Sequence, residues 1–131
     1  MSVTRAVALG AGHYLPDRVV ENAEFEKIID TSDEWIRSRS GIERRHFAAE
    51  GEKTSDLAIR AAEAALTNCG LTGADIDAVV LATATPDQTF PATATRVQAA
   101  LGVPGFAFDI HAVCAGFVYA LANASALIGT G

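Results

Sequence analysis

Apolar residues along the chain follow two patterns, short unbroken runs and longer stretches with helical spacing. Residues 3–9, 78–84 and 106–110 are apolar runs of the length of a buried strand. Residues 54–69 place their apolar side chains on one helical face, and residues 92–101 fit a further helix. Strands that alternate with helices are joined by right-handed crossovers, so this order predicts an α/β fold with a mostly parallel sheet covered on both faces.

A helix start is predicted at Thr31, Ser32, Asp33 and Glu34. This is the pattern of a capping box, in which the threonine hydroxyl and the glutamate carboxylate each accept a backbone N–H of the first turn. Gly41 is then predicted to end the helix, since glycine readily adopts the left-handed conformation that follows a last turn.

Two glycines, Gly10 and Gly12, follow the first predicted strand, as they do in a dinucleotide-binding loop. The position of that motif's third glycine is occupied by Leu15, Pro16 comes next, and no helix opens from the loop. The pattern therefore favours an ordinary turn over a cofactor site.

Charged side chains are concentrated in the first half of the chain. Residues 1–66 carry 21 of the 26, and none follows Asp109. The apolar helix predicted after Cys114 is long enough to cross a bilayer, but it is built from Ala, Gly, Asn and Ser more than from Leu and Ile, and no Lys or Arg flanks it. We therefore predict no membrane span and a position inside a larger globular protein.

A chain of 131 residues is too short to cover such a helix completely. No repeat, linker or low-complexity tract divides the sequence, so we interpret it as a single piece. We expect residues 1–131 to be one half of a larger fold, truncated before its last strands, and the other half to cover the helix.

The overall composition narrows the class of protein further. A formal net charge of −6 argues against nucleic-acid binding, which needs basic side chains opposite the phosphates. Two cysteines cannot build the disulfide framework of a small secreted domain, and the first residues lack the apolar core of a signal peptide, which predicts a cytoplasmic protein. The cysteines and three histidines lack zinc-ligand spacing, so no metal site is expected.

Cys114 lies where the strand predicted at residues 106–110 turns into the apolar helix. A thiol at a helix N-terminus faces the positive end of the helix dipole and unpaired N–H groups, which favour the thiolate and can bind an oxyanion. Ala115 and Gly116 leave room for an acyl group at the sulfur. The alternative is that Cys114 is a small buried apolar residue, which is how we interpret Cys69.

The histidines offer no clear base for this thiol. His111 precedes Cys114 by three residues, but side chains on the strand side of such a turn alternate between faces, and catalytic pairs are more often distant in sequence. His13 and His46 are interpreted as structural or surface groups.

Trp35 and Arg39 are four residues apart in the predicted helix and therefore share one face. An indole and a guanidinium on neighbouring turns could hold a purine ring between them, and Arg44 and Arg45 could meet phosphates. The alternative, which the spacing alone favours, is a cation–π contact within the helix on a solvated surface.

Three segments together carry a family resemblance: residues 31–45 (TSDEWIRSRSGIERR), 84–92 (ATPDQTFPA) and 108–117 (FDIHAVCAGF). In this order and spacing they resemble the N-terminal part of β-ketoacyl-[acyl-carrier-protein] synthase III, the condensing enzyme that starts bacterial type II fatty-acid synthesis. The resemblance extends over essentially the whole chain. It implies a thiolase-like fold, a duplicated α/β unit in five layers, normally a homodimer, with the helix after Cys114 at the centre.

The resemblance also implies roles for individual residues. Cys114 corresponds to the nucleophile that takes the acyl group from acyl-CoA as a thioester. Trp35 and Arg39 correspond to the pair that holds the adenine of coenzyme A, with Thr31 nearby. Phe90 corresponds to a phenylalanine that crosses the dimer interface toward the acyl pocket of the other subunit, and its alternative is plain core packing.

The function implied by the resemblance is decarboxylative condensation of an acyl-CoA with malonyl-acyl-carrier protein, with acyl-CoA as a substrate and no cofactor. The family's His and Asn, which serve the decarboxylation, are expected beyond Gly131. Residues 1–131 alone are therefore expected to self-acylate at most. The alternatives are a noncatalytic fragment or subunit that binds CoA or a partner chain, and another condensing enzyme of the thiolase superfamily.

Overall fold

A computed structural model describes residues 4–131 of the chain. The chain forms two compact units. The smaller unit is Leu15–Glu52, and the larger one consists of Lys53–Gly131 together with the described residues up to Tyr14.

The smaller unit contains an antiparallel strand pair that the hydrophobic pattern does not predict. β1 (Arg18–Glu21) pairs with β2 (Arg44–Phe47), and α1 (Asn22–Phe25) and α2 (Asp33–Ser40) lie between them in sequence. Each strand is only four residues long and rich in charged side chains, so neither forms an apolar run.

Helix α2 begins one residue later than the predicted capping box requires. Ser32, not Thr31, is the N-cap, and its hydroxyl accepts a backbone N–H of the first turn at 3.1 Å. Asp33, the first helical residue, accepts a hydrogen bond from the side chain of Asn22 at 2.8 Å, a tertiary contact that the local sequence does not reveal. The capping role predicted for Thr31 is therefore wrong, whereas the end of the helix at Gly41 is confirmed.

The larger unit contains a parallel strand pair and three helices, which confirms the α/β class. β3 (Ala78–Ala82) pairs in parallel with β4 (Phe106–Ile110), so β3 is two residues shorter than predicted and β4 has the predicted bounds. The helices are α3 (Thr54–Cys69), α4 (Thr93–Leu101) and α5 (Gly116–Thr130). The helix predictions from the sequence are confirmed for all three.

The strand predicted at residues 3–9 does not form in its described part, residues 4–9, and Val3 lies outside the described residues. Val7 and Leu9 are exposed, because no described strand pairs with this segment and it buries little apolar surface.

Gly10 and Gly12 pack against α3 instead of forming the expected turn. A Cβ atom at Gly12 would lie 2.2 Å from the backbone nitrogen of Ala65, and one at Gly10 would lie 2.8 Å from the Cβ of Cys69. The pair is therefore glycine because the chain passes directly over a helix.

Helix α5 has no charged residue, and its apolar surface is largely exposed in this chain. Six of its large side chains are exposed: Phe117, Val118, Tyr119, Leu121, Leu127 and Ile128. Within the described residues, Val113–Thr130 is the one segment long and apolar enough to cross a membrane. A core helix of a larger globular protein meets the same criterion, so this observation alone is weak evidence for a membrane.

Candidate functional site

Cys114 lies in a short 3-10 turn, Val113–Ala115, between β4 and α5. The turn is closed by a hydrogen bond from the N–H of Ala115 to the carbonyl of Ala112, at 2.9 Å. Val113 has a φ of 45°, in the left-handed region that a β-branched residue rarely enters. Such strain persists only where the surrounding structure holds it, so the elbow at Cys114 is a fixed feature of the larger unit.

Close packing beneath the elbow holds the start of α5 against β3. A Cβ atom at Gly116 would lie 3.3 Å from the Cβ of Ala82, so a larger residue would push the helix away from the strand. Within residues 4–131 the thiol of Cys114 is free and exposed, and its role as a nucleophile stays a prediction. Cys69 is also free, but it is partly buried on α3, and its thiol donates to the carbonyl of Leu66 at 3.4 Å.

Cys114 lines an open cavity of about 1140 Å³ between β3 and α5. The walls are mainly apolar and include Val80 and Leu81 of β3 with Phe117 and Leu121 of α5. An apolar wall beside an exposed thiol suits an acyl chain, because burying each methylene group stabilises the bound state by about 0.8 kcal/mol. The cavity is open because it is bounded by the exposed face of α5.

No histidine is paired with this thiol in the part of the chain that the structure describes. His111 is exposed and shares no hydrogen bond with Cys114. His46 lies on β2, with its Nδ1 at 2.5 Å from the carbonyl oxygen of Pro16, which agrees with a structural role. Across residues 4–131, no group of three His, Cys, Asp or Glu side chains could hold a metal ion.

Phe90 lies in the loop between β3 and α4, and 82% of its surface is exposed. Within residues 4–131, Phe90 does not pack into the core. Its role at a dimer interface stays a prediction.

Two carboxylates without a predicted role hold this loop in place. Asp109 of β4 accepts the backbone N–H groups of Thr93 and Ala94, at 2.8 Å each, and so caps α4. Asp87, in the loop itself, accepts the N–H of Ser55 at 3.0 Å and its hydroxyl at 2.6 Å. Asp109 is the one charged residue in the apolar run of residues 106–110. A charge in a buried strand needs a hydrogen-bonding or ionic partner, so its position could have indicated a structural role.

The side chain of Asp87 is fully buried, and its charge is maintained by its neighbours. Burial acts to raise the pKa of Asp87, but the hydrogen bonds from Ser55 and the charges of Arg96 and Lys53 outweigh it and hold the pKa below its ordinary value. Nη1 of Arg96 lies 3.2 Å from the carboxylate.

Trp35 and Arg39 lie together on α2 in the smaller unit. The guanidinium carbon of Arg39 is 5.7 Å from the centroid of the Trp35 ring, so the cation–π contact considered as the alternative is present. Both side chains are exposed, 57% of the surface in the case of Trp35, which leaves them accessible to a flat ligand. Thr31 is half-buried just before the N-cap of this helix.

Arg45 has a different role from the phosphate contact suggested by the sequence. Its Nη1 donates to Oδ1 of Asn22 at 2.7 Å, and its guanidinium carbon lies 4.6 Å from the centroid of the Phe25 ring. Arg45 therefore belongs to the internal packing of the smaller unit, while Arg44 remains exposed on β2.

No protein-family model matches the chain. Curated relatives do match it. The β-ketoacyl-[acyl-carrier-protein] synthase III of Ruegeria sp. (strain TM1040) is 72% identical, and that of Rhodobacter capsulatus is 70% identical, each over 128 residues. Each match covers 97% of this chain and 40% of the relative, so the chain spans less than half the length of these relatives.

Solved structures agree with this assignment. The 3-oxoacyl-[acyl-carrier-protein] synthase III from Aquifex aeolicus VF5 superposes with a TM-score of 0.89 at 44% identity, covering 99% of this chain and 41% of that one. The β-ketoacyl-[acyl-carrier-protein] synthase III from Thermus thermophilus superposes with a TM-score of 0.88 at 50% identity, covering 96% and 39%. The chain belongs to the β-ketoacyl-[acyl-carrier-protein] synthase III family and corresponds to the N-terminal half of its thiolase-like fold.

Proposed function

We propose that this chain carries the acyl-accepting nucleophile of an enzyme that condenses an acyl-CoA with malonyl-acyl-carrier protein. One observation carries the proposal: Cys114 is an exposed thiol at a strand-to-helix elbow, on the wall of an apolar cavity. Membership of the family supports the reaction class. The protein would act in the cytoplasm as a homodimer, with acyl-CoA as a substrate and no resident cofactor.

In the first half-reaction the thiolate of Cys114 attacks the thioester carbonyl of acyl-CoA. A new carbon–sulfur bond forms, the oxyanion of the tetrahedral intermediate collapses, and CoA leaves as a thiolate that takes up the proton released from Cys114. Because α5 begins directly after this turn, its N-terminal dipole favours both the attacking thiolate and the developing oxyanion.

The second half-reaction needs groups that the family resemblance assigns beyond Gly131. Decarboxylation of malonyl-acyl-carrier protein releases CO2 and leaves a carbanion, which attacks the thioester on Cys114. The products are a 3-oxoacyl-carrier protein and the Cys114 thiolate, which takes up a proton from solvent to give the thiol. Residues 1–131 thus contribute the acylation step, and complete condensation belongs to the full-length enzyme.

Coenzyme A would be held through its adenine by Trp35 and Arg39, with Thr31 nearby. The exposed indole and guanidinium support this role, since the face of an aromatic ring and a planar cation both stack on a purine.

The experiment that tests the proposal is intact-mass measurement after incubation with acetyl-CoA. The wild-type protein should gain one acetyl group, Cys114→Ser should gain none, and Cys69→Ser should behave as the wild type. Cys69 is the matched control because it is free but partly buried on α3. Acylation of Cys69, or an unmodified wild-type protein, would contradict the assignment.

A noncatalytic role, binding CoA or a partner chain, has one observation in its favour. The apolar face of α5 is exposed over six large side chains, as in a surface that another polypeptide covers. The mass measurement separates the two functions, because only a reactive Cys114 gains an acyl group.

A further inference from the structure

Asn22 is a buried polar residue of the smaller unit, with 1% of its surface exposed. Its amide donates two hydrogen bonds and accepts one. Nδ2 donates to Oδ1 of Asp33 and to the carbonyl of Ile42, both at 2.8 Å, and Oδ1 accepts from Nη1 of Arg45 at 2.7 Å. Neither the sequence pattern nor the proposed function assigns a role to this residue.

The two groups that Nδ2 binds lie at the two ends of α2. Asp33 is the first residue of the helix, and Ile42 follows Gly41, which ends it. One amide therefore fixes both ends of an eight-residue helix, which is about 12 Å long.

Besides Asn22, two carboxylates hold helix α2: Glu26 accepts the backbone N–H of Asp33 at 2.8 Å, and Glu43 forms an ion pair with Arg37 at 2.8 Å. None of the helix residues is buried. A helix of this length is not stable by itself in water, because nucleation is costly and few hydrogen bonds follow it. The contacts at its ends therefore determine where its exposed side chains stand.

We propose that Asn22 is a positioning residue that fixes the Trp35 and Arg39 pair for the adenine of coenzyme A. The inference rests on the proposed function, since it assumes that this pair binds CoA. An amide suits the position because it donates twice and accepts once. An aspartate at position 22 would keep the acceptor for Arg45, but it would place a second carboxylate oxygen against Asp33.

The first test compares two substitutions of Asp33 in the full-length protein. Asp33→Asn and Asp33→Ala both remove the charge and the 3.7 Å ion pair with Arg37, but only Asn keeps an oxygen that can accept from Nδ2 of Asn22. Asp33→Ala should raise the dissociation constant of CoA, measured by titration calorimetry, by about tenfold, the factor that corresponds to the net contribution of one hydrogen bond. Asp33→Asn should stay within about twofold of the wild type.

The second test uses Asn22→Asp, with His46→Ala as the matched control. His46 has its Nδ1 against the carbonyl of Pro16 and no hydrogen bond to α2, so its loss perturbs the same unit without removing a hydrogen bond from the helix. Asn22→Asp should raise KM for acetyl-CoA without changing the rate at which Cys114 is acylated by the acetyl thioester of N-acetylcysteamine, which lacks the nucleotide. His46→Ala should leave both values unchanged.

Trp35 gives a readout that needs no ligand, because it is the single tryptophan of the sequence. Its fluorescence anisotropy should fall in Asn22→Asp and in Asp33→Ala, and it should be retained in Asp33→Asn and His46→Ala. Equal CoA affinity in the two Asp33 variants, or an equal loss of both acylation rates in Asn22→Asp, would overturn the inference.

The failure of this inference is distinguishable from the failure of the proposed function. If Trp35→Ala leaves CoA affinity unchanged, the CoA site is elsewhere and the proposed function loses its adenine contact. If Trp35→Ala weakens CoA binding but the two Asp33 variants bind CoA equally well, only the role of Asn22 is wrong.

Discussion

The larger unit contains two free cysteines whose exposure differs because they lie in different local backbone conformations. Cys69 lies near the end of α3, where it is partly buried and its thiol meets a backbone carbonyl. Cys114 lies in a turn whose first residue, Val113, has a positive φ, and its thiol is exposed beside an apolar cavity. Burial and a local hydrogen bond make the first cysteine a packing residue, whereas the second is exposed at the start of a helix.

Trp35→Ala should weaken CoA binding by about 1–3 kcal/mol, the range measured when an aromatic residue that stacks on a base is removed. The reason is that Ala keeps the helix but removes the ring face beside Arg39. The measurement is titration calorimetry with CoA, and acylation of Cys114 by a short thioester without the nucleotide should be unaffected. Unchanged CoA affinity would leave the pair as a surface cation–π contact.

Among the elements, two helix starts in the larger unit depend on carboxylates from elsewhere in the chain. The N-cap of α4, Ala92, has no side-chain oxygen, and Asp109 of β4 takes its place. Asp87 holds Ser55 at the start of α3, and its own N–H donates to the buried hydroxyl of Thr93 at 2.9 Å. The loop that presents Phe90 is therefore fixed by both helices.

Asp87→Asn should lower the free energy of unfolding by about 1–3 kcal/mol, because it removes a buried hydrogen-bonded charge and leaves Arg96 without its partner. Urea unfolding of the full-length protein at pH 7 measures the change. Asp56→Asn is the matched control: the Asp56 carboxylate accepts the N–H of Lys53 at the same helix end, at 2.9 Å, but does not contact the loop. An equal effect of the two substitutions would contradict a special role for Asp87.

Asp87 should also make stability depend on pH. Its pKa in the folded protein is below the ordinary value, so the folded state binds the proton more weakly than the unfolded state does. The stabilisation is therefore present above about pH 5 and is lost as the pH falls through the pKa of the folded form. Unfolding measured from pH 7 down to pH 3 should show a steeper loss for the wild type than for Asp87→Asn, and parallel curves would contradict this.

For the whole molecule, the uneven distribution of charge has a structural counterpart. The second half of the sequence carries five of the 26 charged residues, and its last helix exposes six large apolar side chains. Contiguous apolar surface of this kind usually marks a contact with other polypeptide. We expect other polypeptide to cover the apolar face of α5.

Residues 1–131 expressed alone should aggregate or form a molten species that binds a hydrophobic dye. Exposing several hundred Å² of apolar surface forfeits on the order of 10 kcal/mol, which is as large as the net stability of a domain. Dye binding and thermal unfolding measure this, and Leu121→Lys with Leu127→Lys should improve solubility, because both positions are exposed on α5. A soluble monomer with a sharp cooperative transition and no dye binding would contradict the prediction.

Elements with local signals could be predicted from the amino-acid sequence. Apolar runs gave β3 and β4, helical spacing and glycine ends gave α3 and α4, and the change from strand to helix gave the elbow at Cys114. These predictions hold because such elements satisfy their own backbone or bury a continuous apolar run. The resemblance carried by three short segments was sufficient for the family.

Features that depend on distant partners became visible only in the folded chain. Residues 4–9 are not a strand, because no described strand pairs with them, and β1 pairs with β2 without an apolar run in either. Ser32 replaces Thr31 as the N-cap of a helix whose first residue is bound by Asn22, eleven positions earlier in the sequence. Asn22 also binds Arg45, 23 positions later. The reason is physical: a buried polar group must find a hydrogen-bond partner, and only the folded chain determines which one lies within reach.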